Sequence, residues 1–88
     1  MTVTFRASFA RDLGAIRDAR LLGRVEKVVR ALENAGSPAE IPQLKQLRGH
    51  AGLYRVRIGD WRMGLHIDGN QVDCVRILHR REIYRYFP

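Results

Sequence analysis

A single tight turn, Gly59-Asp60, constrains this chain more than any other feature, because it fixes how the two segments beside it pair. Before the turn, residues 54–58 alternate between apolar and basic side chains, and this period of two is typical of a half-buried β-strand. A Gly-X pair between two such segments favours a two-residue hairpin turn with glycine at positive φ. The predicted hairpin pairs Ile58 with Trp61, Arg57 with Arg62, and Arg55 with Gly64.

The hairpin places two arginines, Arg57 and Arg62, side by side on one face of a sheet. Like charges directly opposite each other destabilise a sheet, and a fold tolerates that cost when an anion lies between them. Gly64, beside Arg55, leaves a space in which a backbone or a ligand can approach closely. The hairpin therefore indicates a phosphate-binding surface; the alternative is that the arginines only keep an exposed face hydrated.

The charge of the whole chain supports an anionic partner. Its net charge is +7, and the segment from Lys45 onward holds nine basic and four acidic residues. Such a charge favours binding to a polyanion. Nearly all the basic residues are arginine, which suits bidentate binding of phosphate but also follows from a GC-rich genome.

Other classes of site are disfavoured by the composition. Cys74 is the only cysteine, so an intrachain disulfide is excluded, and its apolar surroundings predict a small core residue. The three histidines lack the spacing of metal ligands, so we expect neither a metal nor a cofactor. No apolar run approaches the ~18 residues of a membrane span, and no signal peptide is visible, so a cytoplasmic protein without membrane contact is expected.

The first half of the chain predicts one short strand and two helices. Residues 2–6 alternate as a strand does, and Ser8 is placed to cap a short helix that runs to Ile16. Asp18 is placed to cap a longer helix that ends near Gly36. One apolar stripe marks this longer helix: Leu21, Leu22, Val25, Val28, Val29 and Leu32.

The second half predicts an antiparallel meander. Residues 44–48 form either a strand or an irregular approach to the hairpin, and the last strand runs from Val72 to His79. A strand, two helices and a meander are typical of an α+β domain. We expect one domain, residues 1–88, with an antiparallel β-sheet of about four strands, two N-terminal helices packed on one face, and the arginines on the other.

The register of the last strand is open. A two-residue loop at Gly69-Asn70 puts Cys74 and Arg76 on the core face, whereas a three-residue loop puts Val75 and Ile77 there. The second register is favoured, because burying an unpaired arginine is costly. It also sends Arg76 and Arg80 to the face of Arg57 and Arg62.

Three segments resemble the RelE/ParE superfamily of bacterial and archaeal type II toxins, and most closely its RelE branch: residues 44–49, 52–62 and 77–85. Their specific parts are the turn Gly59-Asp60-Trp61-Arg62 and the ending His79-Arg80-Arg81 with Tyr84. The resemblance in length and element order covers nearly the whole chain. It implies a RelE-like fold and membership of a toxin–antitoxin system.

The RelE branch implies a ribosome-dependent endoribonuclease that cuts mRNA in the ribosomal A site, without metal or cofactor, through the substrate's own 2′-hydroxyl. The implied partners are a cognate antitoxin, the ribosome and mRNA, with operator DNA bound only through the antitoxin. The ParE branch shares the fold and inhibits DNA gyrase, which is the alternative. A non-catalytic RNA- or partner-binding domain is a third possibility.

Carried over by position, the resemblance implies three catalytic residues, Arg62, Arg80 and Tyr84. It also implies that Arg55 and Arg57 bind the substrate. Arg81, from the same sequence motif, and His66, which shares the basic face, are two further candidate substrate-binding residues. RelE has lysines where this chain has Arg55 and Arg57, and arginine is a poor general base. Tyr84 and His66 are therefore the candidates for accepting the 2′-hydroxyl proton.

Overall fold

The computed structural model describes residues 1–88 and contains one five-stranded sheet, three helices and a short 3₁₀ turn at Pro38–Glu40. The elements in chain order are β1 (Thr2–Phe5), α1 (Ala7–Gly14), α2 (Ala19–Asn34), β2 (Leu44–Gln46), β3 (Leu53–Ile58), β4 (Trp61–Asp68), β5 (Gln71–His79) and α3 (Ile83–Tyr86). The strand order is β1-β5-β4-β3-β2. No helix is long and apolar enough to cross a membrane.

The main core lies between one face of the sheet and the helices α1 and α2. The apolar stripe of α2 supplies Leu21, Val25 and Leu32, and α1 supplies Phe9. Facing them are the alternate inward residues of the strands, such as Met63 and Leu65 of β4, which are fully buried. Asp18 caps α2 as expected, since its Oδ1 accepts the backbone N–H groups of Arg20 and Leu21. The α+β architecture is therefore confirmed.

The sheet differs from the expectation in size and direction. It has five strands because residues 44–46 form a true strand, and it is mixed because β1 pairs in parallel with β5. This pair joins residues about seventy positions apart, such as Thr2 and Gln71. Local patterns carry no information about such a distant pairing, so the expectation of a purely antiparallel sheet of about four strands was wrong in this detail.

The hairpin register is confirmed at every position. Ile58 lies opposite Trp61, Arg57 opposite Arg62 and Arg55 opposite Gly64. Gly59 has φ 59°, the left-handed conformation that the tight turn requires. The turn at Gly59-Asp60, which is predictable from the sequence, therefore determines which arginines share the basic face of the hairpin.

The favoured register of β5 is wrong for the loop and for Val75 but right for Ile77 and Arg76, and a bulge explains the difference. The loop at Gly69-Asn70 has two residues, so Leu65 pairs with Cys74. A register shift follows immediately, and Gly64 pairs with Arg76, which leaves Val75 in a bulge. Cys74 and Ile77 are therefore both fully buried in the core, while Arg76 faces away from it. One extra residue in β5 removes the conflict between the loop length and the cost of burying Arg76.

Helix α1 covers the edge of β5 that β1 leaves unpaired. Ser8 does not cap α1; its Oγ donates to the carbonyl of Val75 at 2.6 Å, and the N-cap residue is Arg6. Asp12 accepts the backbone N–H of Ile77 at 3.1 Å. Because β1 ends at Phe5, these two side chains take the place of a neighbouring strand along the bulged part of β5.

Candidate functional site

Arg62 is the centre of the basic face and is held by the hairpin turn. Its Nη1 donates to the carbonyl of Gly59 at 2.8 Å and to the carbonyl of Trp61 at 2.9 Å. These two contacts fix one edge of the guanidinium plane against the backbone. The other N–H groups remain free to bind an anion on the sheet surface.

Three further arginines surround Arg62. Partial burial lowers the pKa of Arg62, and the positive charges of Arg55, Arg57 and Arg80 lower it further. The nearby Tyr84 phenol acts in the opposite direction and raises the pKa of Arg62. The geometry agrees: Arg57 lies opposite Arg62, Arg80 is bonded to the same turn, and Arg55 and Tyr84 line one cleft. The five residues expected to form the centre of the site are therefore brought together.

Arg80 is attached to the same turn through its backbone. The N–H of Arg80 donates to the carbonyl of Asp60 at 2.7 Å, and its Nε lies 3.8 Å from Asp60 Oδ1. Both side chains are more than half exposed, so this ion pair is weak. The guanidinium of Arg80 is thus tethered beside Arg62 and remains available to a ligand.

Tyr84 is presented by the short helix α3, which sequence patterns did not predict. Its neighbour Ile83 is fully buried, and Phe87 at the end of the helix is 2 % exposed. Both lie outside the main core, and the Phe87 ring packs on Gly64, on the face of the sheet that carries the arginines. Tyr84 itself is 59 % exposed. Two buried anchors therefore hold a solvent-facing phenol next to Arg62.

A cleft beside this cluster adds two basic residues that the sequence analysis missed. It has a volume of ≈ 330 Å³ and is lined by Lys45, Gln46, Leu47, Arg48, Arg55 and Tyr84. Lys45 lies directly opposite Arg55 in the β2–β3 ladder. The sequence analysis missed Lys45 and Arg48 because it left residues 44–48 undecided between a strand and a loop, and so did not predict that β2 pairs with β3. Once β2 is paired, it repeats the facing basic residues of the hairpin.

Comparison with known proteins identifies the family of this fold. The family model for the ParE toxin of type II toxin–antitoxin systems matches residues 3–84. The chain belongs to the ParE toxin family. The predicted relationship to the RelE/ParE superfamily is thereby confirmed.

Several proteins similar to this toxin are named RelE. It is 30 % identical to Toxin RelE3 of Methanocaldococcus jannaschii over 89 residues, which cover all of both chains. Its fold matches the RelB–RelE antitoxin–toxin complex of Methanococcus jannaschii with a TM-score of 0.79 and 28 % identity, over 96 % of this chain and 98 % of that one. The toxin–antitoxin complex RelBE2 of Mycobacterium tuberculosis matches with a TM-score of 0.70 and 29 % identity, over 90 % of this chain and 96 % of that one.

One residue proposed for the site, His66, lies apart from Arg62. His66 is on the same sheet face as Arg62, but four residues along β4 separate their Cα atoms by roughly 13 Å. Phe87 covers Gly64 between them. His66 instead lines a different cavity of ≈ 240 Å³, formed with Arg6, Leu53, Val75 and the C-terminal residues 86–88. The His66 Nδ1 atom lies 3.9 Å from Asp73 Oδ2.

Arg81 is exposed in the turn between β5 and α3. Its backbone N–H donates to His79 Nδ1 at 3.2 Å. The role of Arg81 in substrate binding stays a prediction.

The chemistry available on this face is that of guanidinium groups and a phenol. The chain contains no group of three or more His, Cys, Asp or Glu side chains arranged to hold a metal ion. Fixed positive groups on an open sheet bind phosphate and stabilise negative charge that develops on its oxygens. A phenol beside them can stack on a base, orient a hydroxyl or exchange a proton.

Proposed function

We propose that this toxin is a ribosome-dependent endoribonuclease that cuts mRNA in the A site without a metal ion. The observation that carries the proposal is the placement of four arginines and a tyrosine on one face of the sheet: Arg57 lies opposite Arg62, Arg80 is bonded to the turn beside Arg62, and Arg55 and Tyr84 line one cleft. The similarity to full-length relatives named RelE supports it.

The reaction is an internal transfer within the RNA. The 2′-oxygen attacks the adjacent phosphorus, the bond to the 5′-oxygen breaks, and the products are a 2′,3′-cyclic phosphate and a 5′-hydroxyl. One proton leaves the 2′-hydroxyl, and one is gained by the departing 5′-oxygen. In the transition state, negative charge grows on the phosphate oxygens, and preorganised positive groups stabilise this charge better than water does.

The residues divide by position. Arg62, fixed to the turn, and Arg80, tethered beside it, lie where a scissile phosphate bridges the strands, and they stabilise its charge. Arg57, directly opposite Arg62, and Arg55, two residues farther from the turn on β3, bind the flanking backbone. Of the two candidate bases, Tyr84 is favoured because Phe87 and about 13 Å of sheet separate His66 from Arg62.

The ribosome supplies an ordered RNA substrate, which this open surface would not hold in place by itself. The arginines lie on a sheet face with no enclosed pocket that would hold a flexible RNA strand in an in-line geometry. A ribosome-bound codon is already ordered, so the cost of orienting it is met before the toxin binds. The proposal therefore places the toxin in the cytoplasm with translating ribosomes.

A cognate antitoxin is the proposed regulatory partner. Two of the solved relatives are complexes of a toxin with an antitoxin. The net charge of +7 and the exposed arginines favour an amphipathic C-terminal segment of acidic or mixed charge, which covers the basic face or displaces α3 from it. Operator DNA is then bound only through the antitoxin. Co-purification of the two proteins from a bicistronic plasmid tests this, and stable overproduction of the lone toxin without growth arrest contradicts it.

Inhibition of DNA gyrase is the second candidate, because the matching family model is that of ParE. Sequencing of RNA ends and measurement of double-strand DNA breaks after induction separate the two. Cuts phased to codons, with intact DNA, support the ribonuclease. Intact mRNA with accumulated DNA breaks supports gyrase inhibition, and neither change supports a domain that only binds.

A further inference from the structure

Gly64 forms a notch in the basic face, and the chain itself fills it. The sequence indicated that Gly64 leaves room for a backbone or a ligand; the occupant is the ring of Phe87. A Cβ atom placed on Gly64 would lie only 2.8 Å from the ring carbons Cγ and Cδ2 of Phe87. The glycine is therefore required by the close approach of the ring.

Phe87 is one end of the segment that carries Tyr84. Its N–H donates to the carbonyl of Ile83 at 2.7 Å, which closes the single turn of α3. A helix this short is not stable without tertiary contacts. Its geometry therefore depends on the two buried side chains, Ile83 and Phe87, between which Tyr84 lies.

Arg76 braces the same segment from the other side. Its Nε and Nη2 donate to the two carboxylate oxygens of Asp12 at 2.7 and 3.0 Å. The guanidinium carbon lies 5.4 Å from the ring centroid of Tyr86, within the range of a cation–π contact. Arg76 is therefore fixed by α1, and it orients the last residues of α3 next to the Phe87 ring.

We infer that Phe87 seated over Gly64 is a positioning contact, which sets where the Tyr84 hydroxyl lies relative to Arg62. This inference rests on the proposed ribonuclease function and assigns Gly64 and Phe87 a part in it. Neither residue touches the substrate. They act through Tyr84, because a displaced ring moves the only turn of helix that carries it. A misplacement of about 1 Å is enough to cost about 10²-fold in rate.

Single-turnover cleavage on programmed ribosomes tests this with Gly64→Ala. We expect the maximal rate to fall about 10- to 100-fold, while the toxin concentration that gives half the maximal rate stays within about twofold, because Arg55 and Arg57 are untouched. Leu22→Ala on α2, which removes apolar volume from the opposite face of the sheet, is the control for a general loss of stability. If Gly64→Ala cuts at the rate of the unaltered toxin, the inference is wrong.

A second substitution restores the fit and keeps the test independent of folding. In Gly64→Ala/Phe87→Leu the shorter side chain makes room for the new methyl group, so the double variant should cut faster than Gly64→Ala alone. In a Tyr84→Ala background, Gly64→Ala should have almost no further effect on the rate. Independent, additive losses in both comparisons contradict a role through Tyr84.

A catalysis-independent measurement separates failure of this inference from failure of the proposed function. With 3-fluorotyrosine at position 84, the ¹⁹F shift should change when Arg62 is replaced by Ala, and this response should disappear in Phe87→Ala. If the unaltered toxin does not cut RNA but the ¹⁹F coupling behaves this way, the positioning contact stands and the ribonuclease proposal falls. A coupling that is the same with and without Phe87 overturns the positioning contact.

Discussion

Arg57 and Arg62 lie directly opposite each other on the two strands of one hairpin. No carboxylate forms an ion pair with either residue, since the nearest acidic residue of the turn, Asp60, pairs with Arg80. Lys45 and Arg55 repeat this arrangement between β2 and β3. The free toxin therefore keeps like charges together on a surface that an anionic partner stabilises.

This repulsion gives the first prediction. Arg57→Gln should raise the Tm of the free toxin by about 1–4 °C, because it removes one of two facing charges. It should also weaken RNA binding and make the logarithm of the binding constant less steep against the logarithm of salt concentration, by about 0.7 for a single-stranded partner. Thermal melts and salt titrations check both effects. Arg30→Gln on α2 is the control, and equal effects there would show that net charge alone is responsible.

The second prediction concerns Arg62 and Arg80. Replacing either residue with Ala should lower the cleavage rate by about 10²–10³, the loss typical of a donor that stabilises an oxyanion. Arg30→Ala carries the same change of charge and should cut normally, because Arg30 lies on the surface of α2 and pairs with Glu26. Wild-type rates from folded Arg62→Ala and Arg80→Ala would show that the site is assigned wrongly.

The third prediction concerns the join between α1 and β5. Asp12→Ala removes the acceptor of two Arg76 bonds and of the Ile77 N–H, and it leaves the Arg76 guanidinium without its partner. The free energy of unfolding should fall by about 2–4 kcal/mol. Glu26→Ala, which breaks the exposed pair with Arg30, should change it little. Urea unfolding measures both, and equal small effects would contradict the structural role of Asp12.

The fourth prediction concerns Cys74. Burial raises the pKa of its thiol from 9.0 to about 12, so the folded toxin keeps the thiol neutral where an unfolded chain has already lost the proton. The contribution of the neutral Cys74 thiol to the free energy of unfolding is therefore fully present below pH 9 and is lost as the pH rises towards 12. Iodoacetamide should not modify the native toxin at pH 8 but should modify it in urea. Cys74→Ala should lose less stability above pH 9, and rapid labelling of the native thiol would contradict the predicted burial.

The hairpin and the facing positions of Arg55, Arg57 and Arg62 were predictable because they depend on signals a few residues apart. Gly59-Asp60 sets the turn, and the alternation of β3 then assigns Arg55 and Arg57 to one face. Three features were not predictable in this way. The β5 bulge reconciles a two-residue loop with an Arg76 side chain that stays out of the core. The parallel β1–β5 pair joins segments that are distant in the sequence. Helix α3 depends on the burial of Ile83 and Phe87 against the rest of the chain.

The candidate site was likewise predictable only in part. Arg62, Arg80 and Tyr84 meet because the turn and the last strand meet, and the motif marks both. His66 was placed with them because it shares their face, but a sheet face does not reveal what covers its middle. Only the packing of Phe87 on Gly64 divides that face into two.

Purified ribosomes carrying a defined mRNA, with the A site empty, test the proposed function most directly when they are mixed with the purified toxin. We predict cleavage within the A-site codon that leaves a 2′,3′-cyclic phosphate and a 5′-hydroxyl, proceeds in the presence of a metal chelator that leaves the ribosomes intact, and slows about 10²–10³-fold with Arg62→Ala. Uncut mRNA under these conditions, together with inhibition of supercoiling by purified gyrase, would contradict the ribonuclease proposal.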